Sequence, residues 1–191
     1  MFKKLLATLL VFSVFSTKTF AGDYIHGIGA GYNVVTLGGG PYVHYTGRMN
    51  YADFSDGEMS LGFSFSPQVG LNLVTGNTGL NLGVNVSPVE FSFGPAATKD
   101  AKGKFGFGVA PLVGFGYALS TGGSYTLSTG AEAAFRFAAG SHPMSVGWNY
   151  LIPIASGYAG GTALLTGTMS FKYTFFFSLS HLNEFLKSPS I

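Results

Sequence analysis

Cysteine is absent from the 191 residues, which excludes disulfide staples, thiolate metal centres and the acylated cysteine of a lipoprotein. Charge is scarce as well: 9% of residues are Asp, Glu, Lys or Arg, where soluble domains carry about 25%. Such a chain has little with which to cover a surface facing water. The formal net charge of +2 does not point to nucleic acid, because Lys3, Lys4 and Lys18 all fall in the first 21 residues and leave seven basic against eight acidic residues behind them. No basic stripe remains to track a phosphate backbone. Long apolar runs are missing after Ala21, since Gly, Ser, Asn or Thr breaks each one well before the roughly 20 residues a helical span needs.

What is present is apolar and aromatic. Hydrophobic residues make up 47% of the chain and aromatics 16%, and the 29 glycines follow no Gly-X-Y period, so the chain is neither collagenous nor disordered. Its length suits one domain. At the start, Lys3 and Lys4 precede an apolar run from Leu5 to Phe15, and Thr19, Phe20 and Ala21 place small residues where a signal peptidase reads. That run is too short to cross a membrane as a helix, so residues 1–21 are expected to be a cleaved secretory signal.

Turn signals then recur at Gly38 to Gly40, Asp53 to Gly57, Thr75 to Gly79, Gly94 to Gly103, Ser120 to Gly123, Ala139 to His142 and Ala155 to Gly161. They separate eight segments rich in aromatic and β-branched residues, which read as strands joined by hairpins. Alternation with period 2 sets one face against the other. In the third segment Met59, Leu61, Phe63, Phe65, Val69, Leu71 and Leu73 oppose Ser60, Gly62, Ser64, Ser66, Gln68 and Gly70. The fifth sets Phe105, Phe107, Val109, Val113, Phe115 and Tyr117 against Gly106, Gly108, Ala110, Gly114 and Gly116. The fourth changes parity between Val86 and Val89, which predicts a bulge at Ser87 and Pro88.

Charge decides which face is inside. The strand charges are Arg48, Glu58, Glu90, Glu132, Arg136 and Lys172, all on the polar face, three of each sign. They are too few for a wet exterior and balanced as for a confined lumen, whereas a charge on the apolar face would cost about 2 to 4 kcal/mol at a bilayer midplane. The expected fold is therefore a closed, antiparallel, up-and-down transmembrane β-barrel of eight strands over 22–180, with a short tail at 181–191. Glu132 and Arg136 stand about 13 Å apart along one strand, so their partners are expected on neighbouring strands. With odd strands running outward, Tyr24, Tyr51, Phe91, Phe93, Phe105, Phe107, Phe135, Phe137, Phe175 and Phe177 gather at one rim as an aromatic girdle, and Tyr45, Phe115, Tyr117 and Tyr125 lie toward the other. Pro67, Pro88, Pro111 and Pro153 each remove a ladder donor, and a break at one of them would make ten strands.

A signal peptide followed by eight alternating segments resembles the small outer-membrane β-barrel proteins of Gram-negative bacteria, across nearly the whole mature chain. The resemblance implies residence in the outer membrane among its lipids and lipopolysaccharide, after export and assembly by the barrel-insertion machinery. Members typically end on an aromatic residue that closes the last strand, a signal for the insertion machinery; here Phe175, Phe176 and Phe177 lie in that strand but His181 to Ile191 follows, a departure that either alters the insertion signal or makes the tail a short periplasmic appendage.

Candidate chemistry is thin. His26, His44, His142 and His181 show no metal-ligand spacing, and no cofactor is implied. Ser180, His181 and Glu184 have the residue types of a hydrolytic triad but cluster in a terminal tail, and Gly27, Gly29 and Gly31 alternate as the inner face of a strand rather than as a phosphate loop. The expected role is non-enzymatic, structural or surface-interacting, with a plugged lumen. Three alternatives stay open: a narrow path for a small hydrophobic solute, a lipid-modifying enzyme, and a secreted water-soluble β-sandwich.

Overall fold

The computed structural model describes residues 24–35, 38–54, 59–74, 77–94, 105–119, 123–139, 142–158 and 167–177; the expected signal peptide, Glu58, residues 95–104, and the tail with Ser180, His181 and Glu184 lie outside the described residues. Eight strands follow in order: β1 (Tyr24–Val35), β2 (Gly38–Phe54), β3 (Met59–Val74), β4 (Asn77–Phe93), β5 (Gly106–Leu119), β6 (Ser124–Ala139), β7 (His142–Tyr158) and β8 (Thr168–Phe177). Each pairs antiparallel with its sequence neighbours, and β1 pairs with β8 to close the barrel. The eight-stranded up-and-down reading holds, and none of the four prolines splits a strand to make ten.

The faces are inverted relative to a water-soluble barrel. Phe107 is 45% and Phe171 51% exposed, while Arg48 and Asn149 are 1% exposed. Along β5 the small residues Gly106, Gly108, Ala110 and Gly114 are buried and Phe107, Val113, Phe115 and Tyr117 exposed. Strands of 16 and 17 residues exceed the roughly 9 to 11 with which a β-strand crosses a bilayer.

The parity change in β4 is a bulge. Ser87 pairs with Ser64 and Glu90 with Gly62, so two residues of β4 stand where β3 has one. The β4–β5 register slips by the same single residue between Val86 and Phe91. Before the slip Asn85 and Ser87 are buried; after it Glu90 and Ser92 are, while Phe91 and Phe93 turn outward. Pro88 sits inside the bulge, Pro111 faces the interrupted ladder, and Pro153 adjoins a second slip at Leu127/Ser128, so three of the four prolines lie where pairing is already relaxed. Deleting Val89 leaves one residue between Ser87 and Glu90, matching both neighbours. The deletion is expected to keep the fold with Glu90 still inside, at a change within about 1 kcal/mol, the worth of one hydrogen bond. Retention of heat-dependent gel migration checks it; loss of the folded band refutes it.

Several turn expectations shift: Asp53 and Phe54 close β2, and Asn77 to Gly79 open β4. Gly38 to Gly40 open β2, paired with Asn33 to Val35 of β1, instead of forming the turn. At Gly39 a Cβ would overlap the Asn33 carbonyl oxygen, so glycine there serves close strand approach. Ala155 to Tyr158, assigned to a turn, belong to β7.

Candidate functional site

The lumen is built by a division of labour between strands. Even strands contribute the charged side chains of the lumen, Arg48 from β2, Glu90 from β4, Glu132 and Arg136 from β6 and Lys172 from β8, with Tyr42 and His44 of β2 beside them, while β1 and β7 add the polar His26 and Asn149. Odd strands give way to the even-strand side chains with glycine. A Cβ on Gly108 of β5 would stand 3.0 Å from Arg136 Nη2 and 3.3 Å from Glu90 Oε1; one on Gly147 of β7 would meet Lys172 Cε at 3.0 Å; one on Gly29 of β1 would reach His44 Cε1 at 2.6 Å. The glycines thus leave the volume that the ionic side chains fill.

Glu90 is the hub. It forms an ion pair with Arg136, and its Oε1 lies 3.3 Å from Arg48 Nε. Both guanidiniums also donate to Ser92 Oγ, Arg136 from Nη1 at 2.5 Å and Arg48 from Nη2 at 2.7 Å, and Arg48 reaches Ser60 Oγ at 3.4 Å. Lys172 Nζ donates to Glu132 Oε2 at 2.6 Å in a second pair. Partners therefore come from strands two positions away, β2 with β4, β4 with β6, β6 with β8. The expectation of neighbouring strands is corrected: of the strands between, β3 supplies Gly62 and Ser64, β5 supplies Gly106 and Gly108, and β7 supplies Gly147 beside Lys172 and Asn149 beside Glu132, so a long side chain reaches past the intervening strand. Glu58, the sixth expected lumen charge, lies outside the described residues.

Elsewhere in the lumen His44 Nε2 lies 2.9 Å from Thr174 Oγ1, Thr46 Oγ1 3.1 Å from Ser66 Oγ, and Ser170 donates to Asn33 Oδ1 at 2.6 Å. Ile25 and Phe176 pack together in the lumen near the chain ends, and Leu112 and Leu151 are buried in its middle. The parity of β1, β5, β7 and β8 points these residues inward, a signal present in the sequence. The free space beside Arg48, Glu90, Arg136 and Lys172 amounts to about 20 Å³, room for about one water.

On the outer wall Tyr51, Phe91, Phe93, Phe105, Phe107 and Phe135 are exposed, and Phe137, Phe175 and Phe177 are half-buried, all near the strand ends on the side of the chain termini. Phe105 and Phe135 stack at 5.6 Å. The Tyr24 side chain is outside the described set. Phe115, Tyr117 and Tyr125 lie toward the opposite end, but Tyr45 does not join them. It is mid-strand, with its hydroxyl 2.6 Å from His26 Nδ1, and His26 stacks at 5.7 Å on Phe177 of the first rim. His142 opens β7, and His181 is outside the described residues.

No family profile matches the chain, and no curated protein matches it by sequence. Among solved structures it is similar to Neisserial surface protein A (NspA), at 9% identity over 82% of this chain and 98% of that one, with a TM-score of 0.51. The outer membrane enzyme PagL aligns at 11% identity over 78% of this chain and 97% of its own, with a TM-score of 0.45. At such identity what is held in common is architecture: a closed, antiparallel, eight-stranded barrel.

Proposed function

We propose that this chain is an integral outer-membrane protein with a structural or surface-interaction role, performing no chemistry of its own, its lumen filled by its own side chains. One observation carries the reading: exposed apolar side chains surround the wall on every strand while the buried set is mostly polar and ionic. Water would expose that wall at great hydrophobic cost, whereas a bilayer requires it. Paired ions and space for about one water support a closed lumen, as expected when eight strands leave an interior just wide enough for side chains. Outer-membrane lipids and lipopolysaccharide are the expected surroundings, and the barrel-insertion machinery the route of assembly. Fractionation of expressing cells is expected to place the protein in the outer membrane, migrating differently before and after heating, and planar bilayers should show no discrete conductance. Recovery from the soluble fraction without detergent overturns the membrane reading; stable conductance steps overturn the closed lumen.

A further inference from the structure

Outward residues that pair directly form rows around the wall. One row runs Phe91, Val109, Ala133, Trp148 across β4 to β7, and the next sets Pro111 beside Ala131. Large rings therefore flank a floor of small side chains. The result is a depression of about 340 Å³, walled by Phe91 and Trp148 and floored by Val109, Pro111, Ala131 and Ala133. The row of Phe107 with Phe135 closes it toward the girdle, and that of Val113 with Thr129 closes it on the other side. It adjoins the bulge, where the β4–β5 ladder is interrupted between Val86 and Phe91. Elsewhere β6 turns Tyr125, Leu127, Phe135 and Phe137 to this surface, so the two alanines are a local departure that makes the recess.

We propose that this depression holds one acyl chain of a membrane lipid. The inference rests on the reading that the wall faces hydrocarbon. An empty recess there forfeits dispersion contacts along its lining, so an apolar occupant is favoured. Its size lies at the low end of ligand pockets, enough for a chain segment rather than a folded partner. Among the lining residues the polar side chains are Trp148, with its indole N–H, and Glu132, whose carboxylate accepts from Lys172 in the lumen; the rest offer nothing a headgroup could bond, and the position next to the girdle is the depth at which lipid chains begin.

Trp148 is the sole tryptophan, so intrinsic fluorescence reports from the recess itself. Two measurements test the proposal on the full mature chain: native mass spectrometry of the barrel purified in mild detergent, and fluorescence quenching in vesicles of phosphatidylcholine with brominated chains. The wild type is expected to retain one lipid and to be quenched. Ala131→Phe and Ala133→Phe, which fill the recess, should lower lipid retention about tenfold, or about 1.4 kcal/mol. In the wild type alone, exchange of phosphatidylcholine for phosphatidylglycerol should leave retention unchanged, and shortening the chains should reduce it. This arm stands even where a filled variant does not fold. Quenching with unchanged retention in the filled variants overturns the site and spares the membrane reading, as does a retained lipid that depends on its headgroup. A dimer that dissociates in the filled variants assigns the recess to a second copy and overturns the proposal. Absence of quenching in the wild type overturns both.

Discussion

Glu90→Ala is expected to lower the unfolding free energy of the barrel by about 3 to 5 kcal/mol, the range for removing one member of a buried ion pair. The effect is large because Glu90 serves two guanidiniums: it pairs with Arg136, and Arg48 Nε approaches it at 3.3 Å, with Arg48 1% and Arg136 5% exposed. Alanine leaves both cations in the lumen with Ser92 as their shared acceptor, and a hydroxyl cannot neutralise charge. Reversible urea unfolding in detergent or lipid, followed by Trp148 fluorescence, measures the loss. The triple replacement Arg48→Met, Glu90→Leu, Arg136→Met should recover most of it, since apolar groups of similar volume replace a buried ionic cluster at little cost. A single variant within about 1 kcal/mol of wild type would show that the lumen is wet enough to screen the cluster.

Val113→Arg is expected to cost about 2 to 4 kcal/mol in a bilayer, the penalty for an arginine on the lipid face near the midplane. Val113 lies on β5 between Phe107 of the girdle and Tyr117 toward the other end, and is 46% exposed. In a water-soluble protein the same substitution at so exposed a site would change stability by no more than about 0.5 kcal/mol. Unfolding from phospholipid vesicles separates the two cases, and a change inside the smaller range would place the wall in water.

Much of this was legible along the chain. The alternation of Met59 to Leu73 and of Phe105 to Tyr117 marked which side chains share a face, and the slip at Ser87 and Pro88 located the bulge, because period 2 is a property of a strand by itself. The turn at Gly38 to Gly40 misled because glycine marks close approach within a ladder as readily as a turn. Tyr45 misled because its height on the wall depends on strand stagger, which no segment carries alone. The recess between Phe91 and Trp148 was out of reach for a related reason. It needs four strands in register, and the spacing of Ala131 and Ala133 looks unremarkable in one dimension.

The residue order alone determined the class of fold and the direction of its faces, since scarce charge and two-residue periodicity act locally and leave one way to place greasy and polar sides. Which ions meet was decided only by closure. Arg48 and Arg136 are 88 positions apart in numbering yet share one carboxylate. They do so because the barrel curves β2, β4 and β6 around a common axis and the glycines of β5 leave the gap they fill.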